Sequence, residues 1–146
     1  MLDCNNFNGR IIYFDMIISE QLIKEVWEKG KIVTGFPEDK IRKDACGAWI
    51  RREAYGDHDS PFGWDIDHIF PQKKLLSFDV PQSDIDDLRN LRPMQWKNNI
   101  SKGADYPSYR SAVHADGDKN IEFDTFFTVN KATQENLNKL FDKYLR

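Results

Sequence analysis

The stretch Trp64-Asp65-Ile66-Asp67-His68-Ile69-Phe70 alternates apolar and polar side chains and stops at Pro71. Successive side chains of an extended chain point to opposite faces, so this pattern predicts a half-buried strand. Upstream, Ser19 reads as a helix N-cap with Glu20 in the first turn. Leu22, Ile23, Val26 and Trp27 follow at helical spacing, and Gly30 stops the run. The tail from Thr133 to Leu145 sets Leu137, Leu140, Phe141 and Leu145 on one helical face, which is expected to pack on the core.

The remaining segments carry weaker local signals. Residues 10–18 are rich in β-formers and predict a strand, as do residues 45–54 around Trp49. Residues 55–63 are dense in turn formers, and 72–90 read as a long, polar, acid-rich connection. Pro93 fits the first turn of a helix that runs to Lys102, with Gly103 as its C-cap. Residues 104–120 read as loop, and 121–129 as a strand bearing Phe123, Phe126 and Phe127. No internal repeat or low-complexity segment occurs.

The chain of 146 residues is of single-domain size, and 40% hydrophobic with 13% aromatic residues is too apolar for a disordered chain. Two cysteines, Cys4 and Cys46, make neither a disulfide framework nor a four-cysteine zinc site, and they suggest a reducing compartment. The most apolar run, Ile11 to Ile18, is broken by Asp15 and falls well short of the ~18 residues of a membrane span. The first residues lack the basic start of a signal peptide. The expectation is a cytoplasmic protein with no membrane partner.

Net charge is −3, which does not advertise nucleic-acid binding. The distribution is uneven, however. Arg89, Arg92, Lys97, Lys102 and Arg110 stand against Asp105 alone, between acidic flanks at 79–87 and 116–124. This run reads either as a solvated helix or as a local basic face able to bind phosphate.

Chemistry enters with Asp67-His68 at the predicted strand end. Neighbours on a strand point to opposite faces, and an Asp-His pair alone is more often structural. Asn90, Asn99 and Lys102 then follow, the last two one turn apart on the predicted helix. Asp and Asn oxygens suit Mg²⁺ or a similar hard ion. A histidine beside the ion can take a proton from water, and a lysine can hold a phosphate.

At these residues the sequence resembles the HNH endonuclease family. The matching text is Trp64 to Pro71, then Asp87-Leu88-Arg89-Asn90-Leu91-Arg92-Pro93-Met94, then Trp96-Lys97-Asn98-Asn99-Ile100-Ser101-Lys102. The family pattern is an Asp-His-Ile-x-Pro strand, an acidic loop ending in Asn-Leu, and a helix with Asn-x-x-Lys. Residues 40–64 also look like the lead-in of stand-alone bacterial members. The resemblance implies an α+β fold with a ββα-metal core over about 62–107 of one domain. Residues 1–61 and 108–146 are extensions that add helices and short antiparallel strands. It implies His68 as general base, Asp67 and Asn99 as metal ligands, Asn90 as a brace of the catalytic loop, and Lys102 at the phosphate or leaving group. One divalent ion is expected, Mg²⁺ before Mn²⁺. The partner is expected to be DNA, bound by Arg89, Arg92, Lys97 and Lys102, with RNA, a homodimer and a protein partner left open.

Two departures stand out. The paired Cys-x-x-Cys motifs of many members are missing, so no structural zinc is expected. The acidic loop carries Leu75 to Pro81 where many members have a glycine-rich turn. Two other readings compete with the enzyme: a non-catalytic nucleic-acid-binding or interaction module, and a nuclease subunit of a larger defence or toxin system. Outside the motif, His58 reads as solvated, His114 as incidental, Cys46 as a small apolar group in a strand, and Tyr106 and Tyr109 as core.

Overall fold

The computed structural model describes residues 18–146. Helix α1 (Glu20–Trp27) opens on Ser19, whose hydroxyl accepts from Leu22 N at 3.0 Å. It buries Ile23, Val26 and Trp27, the face its spacing predicts. The strand expected over 10–18 lies, but for its last residue, outside the described residues. Strands β1 (Ile41–Lys43) and β2 (Trp49–Arg51) form an antiparallel pair. The expected strand over 45–54 is thus shorter, because residues 44–47 turn the chain and a 3-10 turn takes 52–54. Cys46 sits in that turn, not in a strand, and is buried.

Strand β3 (Trp64–His68) pairs antiparallel with β4 (Leu91–Gln95), Asp67 opposite Arg92 and His68 opposite Leu91. Between them the chain is not an open connection. It forms α2 (Gln72–Leu76) and α3 (Gln82–Ile85), which drop Leu75 and Ile85 into the core, and a 3-10 turn at Leu88–Asn90. Residues 93–95, which begin the expected helix, are instead the end of strand β4. A two-stranded sheet has only edge strands, and an edge strand tolerates the missing N–H of Pro93. The helix, α4 (Trp96–Lys102), starts later on Gln95, whose side-chain oxygen accepts from Lys97 N at 2.7 Å and Asn98 N at 3.1 Å. It ends at Gly103, whose φ of +52° favours a residue without Cβ.

The expected loop over 104–120 contains β5 (Ser108–Arg110) and β6 (Val113–Asp116). Strand β6 pairs with β7 (Lys119–Glu122), and β5 with β8 (Phe126–Thr128), so the expected strand over 121–129 is two short strands in two sheets. Helix α5 (Lys131–Leu145) is capped by Asn130 and buries Leu137 and Phe141. The described residues are therefore mixed α+β, with five α-helices and four two-stranded antiparallel sheets. No helix among them is long and apolar enough to cross a membrane.

The β3–β4 pair is packed on both sides. Trp64 and Leu91 join Ile23, Val26, Trp27 and Ile50 in one cluster, with the Trp27 and Trp64 ring centres 5.5 Å apart. Ile69 and Met94 join Leu75, Ile85, Tyr109, Leu137 and Phe141 in the other. Trp64 is wholly buried, and its indole donates to Arg51 O at 2.9 Å. Burying such a ring contributes about 3 kcal/mol, so the strand that ends in Asp67-His68 is held firmly.

Candidate active site

Strand β3 delivers Asp67 and His68 at its end, and α4 follows β4 without a break, so its Asn99 is carried back to the same place. Asp67, His68 and Asn99 all line one cleft of about 330 Å³, with Ile66, Pro71, Gln72, Lys73, Gly103 and Ala104. Residues far apart in the chain thus meet where the strand stops.

Asp67 is 4% exposed. Its Oδ2 accepts from Arg92 Nε at 2.8 Å, and its Oδ1 lies 3.3 Å from Lys102 Nζ. The cross-strand register sets the first contact and the last turn of α4 the second. Lys102 is 1% exposed and also donates to the His68 carbonyl at 3.1 Å. Burial holds its ammonium below the ordinary lysine range, and Asp67 opposes that shift. Lys102 therefore ties α4 to the end of β3 from within.

His68 is half-buried, and its Nε2 lies 2.8 Å from Asp86 Oδ1. Gln82 Nε2 is 3.1 Å from both Asp86 oxygens. Asn90 is wholly buried: its Oδ1 accepts from Phe70 N at 2.8 Å, and its Nδ2 donates to Phe70 O and Ile85 O. It fastens the chain just after His68 to the end of α3.

The basic run of 89–110 does not form one surface. Arg89 is exposed and paired with Asp87 at 2.8 Å, and Lys97 is exposed on α4. Arg92 and Lys102 point inward to Asp67, so neither presents its charge along an exposed helix face. Lys97 and Arg110 line a different concavity, of about 450 Å³, together with Glu122 and Asp124. Beyond the motif, His58 pairs with Asp65 at 2.9 Å and stacks on Trp96, and His114 stacks on Phe123. Both histidines thus have partners within the chain, while Tyr109 is core.

Several contacts escape sequence reasoning. Asp86 is one of three acids between 84 and 87, and no local signal singles it out. Asp44 and Asn98, both buried, clamp α4 to the turn after β1, and neither stood out as a candidate. Among the described residues no three His, Cys, Asp or Glu side chains converge as a metal-binding group. Asn99 adds an amide oxygen, a donor outside that set. Comparison with protein-family models, curated proteins and solved structures returns no match.

Proposed function

We propose that the chain is a metal-dependent endonuclease of the HNH type that hydrolyses DNA, with β3, β4 and α4 as its ββα-metal core. The observation that carries this reading is the meeting of Asp67, His68 and Asn99 in one cleft. An imidazole beside two oxygen donors suits attack of water on a phosphodiester.

The donor set fits a hard divalent ion. Mg²⁺ commonly takes one or two protein oxygens, several waters and substrate phosphate, and the cleft has room for them. Asp67 and Asn99 would hold it. Arg92 and Lys102 offset the charge of Asp67, so ion and phosphate are expected to enter together. When bound, the ion supplies positive charge against the negative charge that grows on the phosphate. His68 takes the proton of the attacking water. Asn90 fastens the loop behind His68, and Lys102 positions Asp67 and the His68 carbonyl without touching substrate.

Supercoiled-plasmid cleavage with Mg²⁺ tests the reading, with a labelled RNA run beside it. Nicking should stop in EDTA and return with Mg²⁺ or Mn²⁺. His68→Ala should lose about 10²–10⁴ in rate. Cleavage that persists in EDTA, or that survives His68→Ala within threefold, would remove this site from the chemistry. A second reading, a binding module that does not cut, draws support from Asp67, both of whose oxygens already face cations. DNA binding without nicking at any metal concentration would favour it.

A further inference from the structure

One carboxylate outside the motif touches the candidate base. Asp86 Oδ1 lies 2.8 Å from His68 Nε2, and each side chain is only 16% exposed. Asp86 follows α3 directly, one turn after Gln82, whose amide nitrogen lies 3.1 Å from both of its oxygens. The same amide donates to Gln72 Oε1 at 2.6 Å, and Gln72 lines the cleft. A carboxylate fixed in this way has a single orientation toward the imidazole.

An ionised carboxylate can only accept hydrogen bonds, so the ring nitrogen that meets it must carry the proton. With Nε2 protonated, the lone pair of a neutral imidazole is on Nδ1. We propose that Asp86 is the positioning residue of this site, holding His68 as the Nε2–H tautomer and leaving Nδ1 as the basic nitrogen. Its catalytic meaning rests on the nuclease reading above; the tautomer itself does not. In that reaction Nδ1 receives the proton of water as its oxygen bonds to phosphorus. The phosphorus–oxygen bond to the leaving group then breaks, with its electron pair going to the leaving oxygen. Asp86 stays ionised and faces the imidazolium that forms, as the buried aspartate of a Ser-His-Asp triad does.

The test reads the two nitrogens directly. Protein labelled with ¹⁵N in its imidazole rings is examined near pH 9, about two units above the ordinary imidazole range. His68 signals are assigned by their loss in His68→Gln. Wild type should show a protonated Nε2 and a bare Nδ1. Asp86→Ala, which leaves Nε2–H without its acceptor, should add an Nδ1–H population to that single tautomer, while Asp86→Asn, whose Oδ1 can still accept, removes only the charge. Their cleavage kcat should fall about 10- to 100-fold, with KM changed little. A proton on Nδ1 in wild type overturns the proposal, as does an unchanged tautomer in Asp86→Ala. A wild-type chain that never nicks DNA sinks the nuclease reading alone, and the spectra still decide what Asp86 does.

Discussion

Asp44 Oδ2 accepts a hydrogen bond from Asn98 Nδ2 at 3.0 Å, across 54 positions of chain, with both residues buried. The same oxygen accepts from Gln95 N at 2.9 Å, and Oδ1 accepts from Cys46 N and Ala48 N at 2.9 Å. Asn98 in turn accepts from Ala112 N and Val113 N and donates to Val113 O. The pair joins the turn after β1, the start of α4 and the start of β6. Asn99, the next residue, owes its place in the cleft to this clamp.

Asp44→Ala leaves four buried donors without an acceptor, at about 1–3 kcal/mol each before relaxation. We expect a loss of at least about 3 kcal/mol in urea unfolding. A change below about 1 kcal/mol would show that water or a shifted backbone replaces Asp44.

Lys102→Met separates two roles for this lysine. Removing one member of a buried ion pair costs about 3–5 kcal/mol, because the remaining charge stays buried. Here Arg92 still faces Asp67, which sets the expectation at the lower end. Full stability together with lost cleavage would instead place the Lys102 ammonium on the phosphate.

Lys29 ties α1 to the β3–β4 pair: its ammonium donates to Leu88 O and Leu91 O. Burial, with Arg92 nearby, pushes its pKa down to about 8. The folded chain thus releases this proton near pH 8, and the unfolded chain near the ordinary lysine value of ~10.4. Between those values the unfolded state binds more protons, so this group adds stability as pH rises. Unfolding of wild type and Lys29→Met at several pH values checks the sign. Wild type should gain stability relative to the non-titrating variant from pH 8 toward pH 10, and a difference that moves in the variant's favour over that range would refute the assignment.

Gly63 precedes β3 where two backbones nearly touch. A Cβ there would lie 1.8 Å from the Asp57 carbonyl oxygen, and backbone cannot swing aside as a flexible side chain can. Gly63→Ala should cost about 1–3 kcal/mol and displace Trp64. Thermal unfolding and Trp fluorescence read both, and an unchanged melting temperature would show a softer turn than the contact implies.

Wherever the signal is short-range, the residues themselves are enough. Ser19 caps α1, because its hydroxyl reaches a donor three positions on. The alternation of 64–70 makes a strand, although pairing stops at His68, short of Pro71, and Leu137 and Phe141 bury one face of α5 through spacing alone. The order of motif residues is written in the chain as well, and with it the nuclease expectation. Pro93 is the instructive failure: its fixed φ serves a helix start and an edge strand equally, and only pairing with Ile66 chooses between them. The acid-rich 72–90 segment looked like open connection because its few apolar residues form no long stripe. Its short helices exist because Leu75 and Ile85 find a core to enter. Arg92, Lys102 and Asp86 carry charges that any surface could display. That two of them meet Asp67 and the third meets His68 follows from strand register and helix packing, contacts between segments that no local pattern encodes.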